Sequence, residues 1–541
     1  MNRSSVLSVL RRLTSRTTLY VASFGTVAAM GVVALVSPTQ AAAGRTGYRV
    51  DLETATVAQL QQAMSARKIT SEELTSDYIE RIRQLNTDGP GLNAVRVLND
   101  SALDEARQAD KDRKKGKVRG PLHGIPVLVK DNIDVQRLPT TAGALALADS
   151  FPSDDSFLVK RLRAAGAVIL GKTNLSEFAN FTTSGMPSGY SGLGGQVLNP
   201  YDVSQTPSGS SSGSGAAAAT GLAAVTIGTE TSGSILSPSV ANSLVGVKPT
   251  VGLVSRTGIV PIAASQDTAG PMTRSVYDAA ALLTALTGID PEDPATQTSK
   301  DVVGTDYTAA LKTDALKGVR IGVASAPTGN QAVAFNKALD VLRAQGATVV
   351  TVTVNTGGLP PGILNYEFKR DLNAYLARLP RNAPMKTLDD VVKYNLGHIA
   401  EGTIKFGQTQ LEASNQIDID DPATKAAYEA DRDNGIAGAR ERIDSVLKAE
   451  NLDAILFTGS GSAGIGARAQ YPSVAVPIGY DPANGRPFGM SFLGSAYTEA
   501  KLLSFAYAYE QASHEWRPPA VTNPSLFRCV QPGKWQRSCA P

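Results

Sequence analysis

Cysteine and histidine are scarce in this chain of 541 residues. The only histidines, His123, His398 and His514, lie far apart in sequence, and the only cysteines are Cys529 and Cys539. These residues lack the short spacings that a zinc site of cysteine and histidine needs. The sequence therefore disfavours a zinc enzyme and a hydrolase with a histidine base, and we expect no bound metal or cofactor.

Acidic residues are absent from the first 43 positions. An uncharged apolar run follows Arg16 and extends to Val36, and Pro38 and the small residues Ala41–Ala43 come next. This order is typical of a signal peptide, so residues 1–43 are predicted to be removed and the protein to be secreted. An uncleaved membrane anchor is the alternative, since a run of this length could just span a bilayer. The Arg11-Arg12 pair leaves the export route open.

An excess of positive charge is also absent once the signal segment is set aside. The remaining chain has 48 basic and 49 acidic side chains, which gives no long-range field to attract nucleic acid or an anionic membrane. We therefore expect neither as a partner, and no stable membrane association after signal cleavage. A hydrophobic content of 42% with 19% charged residues is ordinary for a globular protein.

The two cysteines lie near the end of a C-terminal tail, residues 521–541. In an exported protein we expect a Cys529–Cys539 disulfide, which would close a short loop and stabilise it by about 2–3 kcal/mol. Two free thiols on a frayed tail are the alternative. Neither arrangement makes these cysteines catalytic.

Short apolar runs alternate with helical segments through residues 44–520, which we interpret as one unit. Gly124–Val129 is predicted to be a strand that ends at Lys130, Phe157–Ala165 a helix, and Ala167–Leu170 a buried strand. This alternation predicts an α/β core. The length would also permit two or three domains.

The segment Gly166–Thr173 matches the phosphate-binding loop pattern of nucleotide-binding proteins. A phosphate loop presents backbone N–H groups from a flexible turn, whereas Ala-Val-Ile-Leu between its glycines favours a buried strand. We therefore expect no nucleotide, and we interpret Lys172 and Thr173 as the start of a turn.

The stretch Ser208–Ser214 is rich in serine and glycine. Such composition is typical of a flexible linker, but glycine also permits the backbone geometry that places hydroxyl and N–H groups around a reacting atom. Composition alone leaves both open. The position of Lys130 favours the second interpretation, because an amine desolvated at a strand end is neutral and can act as a base.

Several segments together resemble the amidase signature family, over about Asp51–Pro519. They are Pro121–Ile133, Gly166–Ala179, Ser208–Ala218, Gly228–Ser234, Gly246–Thr250 and Gly270–Arg274. The resemblance implies a single α/β/α domain around a large mixed sheet. Within the family the chain is most similar to bacterial peptide amidases, with which it shares Ser210–Ser212, the form of residues 228–234, Gly194–Tyr201 and Tyr366–Lys369.

The resemblance also implies a catalytic triad of serine, serine and lysine. It makes Lys130 the base, Ser210 the bridging serine that follows a cis peptide bond, and Ser234 the nucleophile. Ser211 is implied as a hydrogen-bonding support. The oxyanion N–H groups are implied to belong to Thr231, Ser232, Gly233 and Ser234.

Two positions depart from the family pattern. Many relatives have glycine where this chain has Ser232, and arginine where it has Leu236; the peptide amidases also lack that arginine. The implied activity is hydrolysis of carboxamide C–N bonds without a cofactor, most simply on C-terminally amidated peptides. Aryl acylamides, fatty acid amides and amino acid amides are alternative substrates. A non-catalytic exported binding protein and a transamidase subunit are further alternatives, the second disfavoured by the export signal.

Overall fold

The computed structural model describes residues 50–359, 363–527, 530–531 and 534–535. The predicted signal peptide and the predicted Cys529–Cys539 disulfide lie outside the described residues, so both stay predictions. The described part of the chain contains no helix that is long and apolar enough to cross a membrane.

The strands are numbered in chain order. They are β1 Val95–Leu98, β2 Pro126–Lys130, β3 Val168–Thr173, β4 Tyr190–Ser191, β5 Gly195–Gln196, β6 Val225–Glu230, β7 Val245–Lys248, β8 Thr268–Thr273, β9 Arg320–Val323, β10 Thr348–Thr351, β11 Ala454–Thr458, β12 Ser473–Tyr480, β13 Pro487–Leu493, β14 Val530–Gln531 and β15 Lys534–Trp535.

The helices are numbered in the same way. They are α1 Val57–Ser65, α2 Ser71–Ile82, α3 Ala102–Lys114, α4 Phe157–Ala164, α5 Ser212–Ala219, α6 Leu236–Ala241, α7 Val276–Leu286, α8 Gly329–Ala344, α9 Ile363–Arg378, α10 Leu388–Gly397, α11 Thr409–Asn415, α12 Pro422–Ala449, α13 Ala463–Ala469, α14 Glu499–Ser513, α15 Pro519–Thr522 and α16 Pro524–Phe527.

Eleven of the described strands form one mixed sheet in the order β1-β3-β2-β6-β8-β7-β12-β13-β11-β9-β10. The triplet β3, β2 and β6 is parallel, as are β11, β9 and β10, and the strands between these groups pair antiparallel. The prediction of a single α/β domain around a large mixed sheet is confirmed.

The parallel pairing of β2 with β6 positions the site. Val127 pairs with Val225 and Val129 with Ile227, so both strands end at the same edge of the sheet. Lys130 is the last residue of β2, and Glu230 is the last residue of β6. Polar side chains that follow buried strands therefore meet there, which is the common place for a ligand site in an α/β sheet.

The segment that matched a phosphate loop is a strand along most of its length. Every residue of β3 is buried, as the apolar run predicted. The interpretation of Lys172 and Thr173 as the start of a turn is wrong, because both lie in β3. Lys172 Nζ is 3.3 Å from Asp131 Oδ1 and donates to Thr140 Oγ1 at 3.1 Å, so this lysine forms a buried ion pair inside the protein.

The serine- and glycine-rich stretch is not a linker. Ser212–Ala219 forms helix α5, and all of its residues are buried. The small side chains are required because α5 packs against backbone: a Cβ atom on Gly213 would lie 2.3 Å from the Ala94 carbonyl oxygen and 2.4 Å from that of Asn174. The stretch therefore belongs to the packed core beside β2 and β6.

Candidate active site

Three chain segments carry the residues that the sequence singled out. Lys130 ends β2, Ser210 directly precedes the segment leading into α5, and Ser234 lies in the turn between β6 and α6. The peptide bond between Gly209 and Ser210 is cis, as the resemblance implied. We call residues 231–234 the nucleophile loop.

Lys130 is fully buried and reaches the bridging serine directly. Its Nζ atom lies 2.8 Å from Ser210 Oγ and donates to Thr229 at Oγ1 (2.9 Å) and at the carbonyl oxygen (3.4 Å). Burial lowers the pKa of Lys130 to about 7, although the charges of Asp267 and Glu230 act in the opposite direction. Lys130 forms no salt bridge within the described ranges, so its amine loses a proton far more readily than a surface lysine.

Ser211 ties the bridging segment to the nucleophile loop. Its backbone N–H donates to the Ser234 carbonyl oxygen at 3.1 Å, and its Oγ donates to the Thr229 carbonyl oxygen at 3.1 Å and accepts from the Thr229 N–H at 3.2 Å. Ser234 itself is 8% exposed. Among the described contacts, none is a hydrogen bond from Ser234 Oγ to Ser210. The structure thus joins Lys130 to Ser210 directly, and joins Ser234 to this group through the backbone.

Glu230 closes the nucleophile loop, a role that the sequence analysis missed. Its Oε2 atom accepts the N–H of Ile235 at 2.7 Å and that of Leu236 at 2.9 Å. These two residues directly follow Ser234, and Gly233 adopts a φ of +92° that favours glycine. The Glu230 carboxylate therefore joins the residue before the nucleophile loop to the two residues after it. The signal for this role in the sequence is the acidic residue directly before the loop.

Thr229 was also missed. Its Oγ1 accepts from Asn132 Nδ2 at 3.0 Å as well as from Lys130. This hydroxyl therefore fixes the Lys130 amine against the end of β6. The signal is weak, because a threonine in a buried strand is ordinary.

A cavity of about 530 Å³ opens beside these groups. Asn132, Thr229 and Thr231 line it, as do Tyr375 and Arg378 of α9. This volume lies in the range of pockets that take small organic ligands. The cavity therefore provides room for a substrate beside the nucleophile loop.

The histidines lie elsewhere and have structural contacts. The His123 ring Nε2 is 3.0 Å from the Ala109 carbonyl oxygen, and the His398 ring Nδ1 is 2.7 Å from that of Tyr394. His514 follows α14 in a left-handed conformation. Within the described residues, no group of three or more side chains from His, Cys, Asp and Glu is arranged to hold a metal ion.

Comparison with known proteins gives consistent matches over most of the chain. The family model described as Amidase matches residues 73–463. A probable amidase from Arabidopsis thaliana is 40% identical over 482 residues, which cover 86% of this chain and 92% of the relative.

Solved structures match over the same extent. Native peptide amidase from Stenotrophomonas maltophilia is 45% identical with a TM-score of 0.82, covering 86% of this chain and 98% of that one. A peptide amidase in complex with the competitive inhibitor chymostatin is 44% identical with a TM-score of 0.80, covering 86% and 99% of the two chains.

Proposed function

The chain belongs to the amidase family and is a hydrolase that acts on amides; from this premise we propose that it removes ammonia from C-terminally amidated peptides through Ser234, Ser210 and Lys130. The observation that carries the proposal is the contact of 2.8 Å between Ser210 Oγ and a fully buried Lys130 amine.

The contacts of Lys130 suit a neutral amine. Such an amine has two N–H groups and one lone pair. The Thr229 carbonyl oxygen can only accept, and Thr229 Oγ1 has a second acceptor site beside the one that Asn132 uses, so Thr229 can accept both N–H groups. The lone pair is left for the Ser210 hydroxyl to donate to. Lys130 is therefore the base that a site without histidine needs.

The reaction follows from this arrangement. Lys130 accepts the proton of Ser210, Ser210 accepts that of Ser234, and Ser234 Oγ forms a bond to the amide carbon. Backbone N–H groups of the nucleophile loop stabilise the oxyanion, each by about 3–4 kcal/mol. The proton then returns through Ser210 to the leaving nitrogen, ammonia departs, and water hydrolyses the acyl-enzyme. This sequence of proton transfers needs a hydrogen bond from Ser234 Oγ to Ser210 Oγ, which we expect to form when substrate is bound.

The peptide-amide specificity rests on the relatives and on the cavity. Two of the similar solved structures are peptide amidases, one with a bound competitive inhibitor. The cavity of about 530 Å³ holds more than a small amide alone. Residue 236 is leucine, whereas many relatives have arginine there, and the absence of that arginine is part of the resemblance to peptide amidases.

The substrate assignment is tested by ammonia release from matched amides. The panel contains one peptide with a C-terminal amide, the amide of its last residue, the anilide of that residue and a fatty acid amide. We expect the highest kcat/KM for the amidated peptide, and mass spectrometry should find its internal peptide bonds intact. A higher kcat/KM for the anilide or the fatty acid amide would contradict the peptide-amide assignment while leaving the triad in place.

We also propose that the enzyme acts outside the cytoplasm after loss of residues 1–43. The support is the run of features from Arg16 to Ala43 that is typical of a signal peptide. The N-terminal sequence of the mature protein, recovered from a secreting host, should begin at Gly44. Recovery with Met1 still present in the membrane fraction would favour the uncleaved anchor instead.

A further inference from the structure

The carboxylate of Asp267 faces the nucleophile loop from the neighbouring strand. Strands β6 and β8 pair antiparallel, and their last partners at this end are Glu230 and Thr268. Thr231 directly follows Glu230, and Asp267 directly precedes Thr268. These two residues are therefore the next neighbours across the pair, and Thr231 Oγ1 donates a hydrogen bond to Asp267 Oδ1.

The other oxygen of Asp267 holds a second loop. Oδ2 accepts the N–H of Ile262 at 2.8 Å and that of Ala263 at 2.9 Å, while the Asp267 N–H donates to the Ala263 carbonyl oxygen at 2.8 Å. We call residues 262–267 the wall loop, because Ile262, Ala264 and Asp267 line the cavity. One carboxylate thus joins the wall of the cavity to the first residue of the nucleophile loop.

Helix α9 holds the wall loop from behind. The Ala264 N–H donates to Asp371 Oδ2 at 2.9 Å, and Ser265 donates to Glu367 Oε2 through its N–H at 3.1 Å and its Oγ at 2.8 Å. Glu367 lies in the Tyr366–Lys369 segment that the sequence analysis noted only as a similarity. The wall loop is therefore fixed at several backbone positions and can serve as a rigid support.

Asp267 has no cation to pair with in the described part of the chain, and its contacts are all to these two loops. A carboxylate in this position is costly unless its hydrogen bonds are made. We propose that Asp267 is a positioning residue, which fixes the Thr231 end of the nucleophile loop so that its backbone N–H groups point at the developing oxyanion. This inference rests on the oxyanion role given to the loop above.

The expected consequence is a loss of turnover without a loss of substrate binding. Thr231→Val keeps the shape of the side chain but removes the hydroxyl that reaches Asp267. We expect kcat to fall about 10- to 100-fold with KM nearly unchanged, because a small misplacement of oxyanion donors weakens transition-state binding alone. Thr231→Ser restores the hydroxyl, so its kcat should return to within about threefold of the wild type.

A reversible peptide aldehyde gives a readout that a merely structural role would not change. Ser234 adds to the aldehyde carbon, and the hemiacetal oxygen occupies the oxyanion position with no leaving group. Thr231→Val should weaken this inhibitor by about the same factor as it lowers kcat/KM. The corresponding peptide alcohol, which cannot form the adduct, should bind the variant and the wild type equally.

The matched control is another threonine that donates to an aspartate. Thr424 Oγ1 donates to Asp421 Oδ2 at 2.8 Å at the start of α12, away from the cavity. Thr424→Val should leave kcat unchanged. A second variant, Asp267→Ala, tests the partner: it removes the oxygen that accepts from Thr231 and should also lower kcat. The double variant T231V/D267A should lose little more than Asp267→Ala alone, because the Thr231 hydroxyl then has no carboxylate to bind.

Two results would overturn the inference. One is a Thr231→Val enzyme with the wild-type kcat and aldehyde affinity. The other is a double variant whose losses multiply, which would show that Thr231 and Asp267 act separately. Either result would leave the proposed nucleophile intact as long as Ser234→Ala is inactive, so a failure of this inference is distinct from a failure of the proposed function.

Discussion

Replacing Ser234 with alanine is expected to reduce kcat by about 10⁵-fold or more. The loss is large because no other group can form the acyl bond, and the oxyanion donors alone retain only a small part of the rate enhancement. The side chain is nearly buried, and the loop around it is held by Glu230 through the N–H groups of Ile235 and Leu236. These backbone contacts do not involve Ser234 Oγ, so the variant should fold normally.

The measurement has two parts. Ammonia release gives the loss of kcat, and labelling with a serine-directed sulfonyl fluoride gives the site: intact mass should show one added sulfonyl group on the wild type and none on Ser234→Ala. Ser204→Ala is a suitable control, since Ser204 is an exposed serine near the same serine-rich stretch. If Ser234→Ala kept most of the activity, or was labelled like the wild type, another residue would have to be the nucleophile.

The predictions of a helix start and of a strand that the structure confirms rest on patterns within a few neighbouring residues. The spacing of Thr70 and Glu73 predicts a capping box, and in the structure Thr70 accepts the Glu73 N–H at the start of α2. The apolar run Gly124–Val129 predicted a strand that ends at Lys130, because a short uncharged run suits a strand in the middle of an α/β sheet. In the structure this strand is β2, and all of its residues are buried. In both cases the physical reason lies within a few residues.

The contacts that hold the site together depend on strand register, which the sequence does not display. Asp267 meets Thr231 only because Glu230 pairs with Thr268 across β6 and β8. Lys172 illustrates the same limit: its place in β3 follows from the pairing of β2 with β3, which brings it to Asp131. Long-range pairing of this kind could be inferred only once the order of the strands was known.

Lys130 and Lys172 are two of the three fully buried lysines among the described residues, and their substitutions are expected to have opposite effects. Lys130→Met is the variant with the second large effect on activity. Lys130 is the proposed base, so its removal should lower kcat about 10³- to 10⁴-fold. In the wild type, kcat/KM should fall as the pH drops below about 7, since protonation of Lys130 removes the lone pair that accepts the Ser210 proton. A wild-type profile that stayed flat from pH 8 to pH 5.5 would contradict a lysine base.

Lys172→Met is the matched control, because Lys172 is equally buried but pairs with Asp131. Breaking a buried pair leaves Asp131 short of one partner and should lower the free energy of unfolding by about 3 kcal/mol. The folded fraction should keep the wild-type acid limb in kcat/KM. Loss of that limb in Lys172→Met would mean that the wrong lysine had been assigned.

Stability measurements separate the roles of Lys130 further. The unfolded chain keeps a proton on this amine up to its ordinary pKa of 10.5, whereas the folded protein releases it above about 7. Raising the pH between these values therefore favours the folded wild type. Denaturant unfolding at pH 7 and pH 9.5 should show the wild type gaining roughly 3 kcal/mol relative to Lys130→Met, since every other titratable group is present in both proteins. An unchanged difference would mean that Lys130 is protonated in the folded state at neutral pH, and the base of the proposed mechanism would be lost.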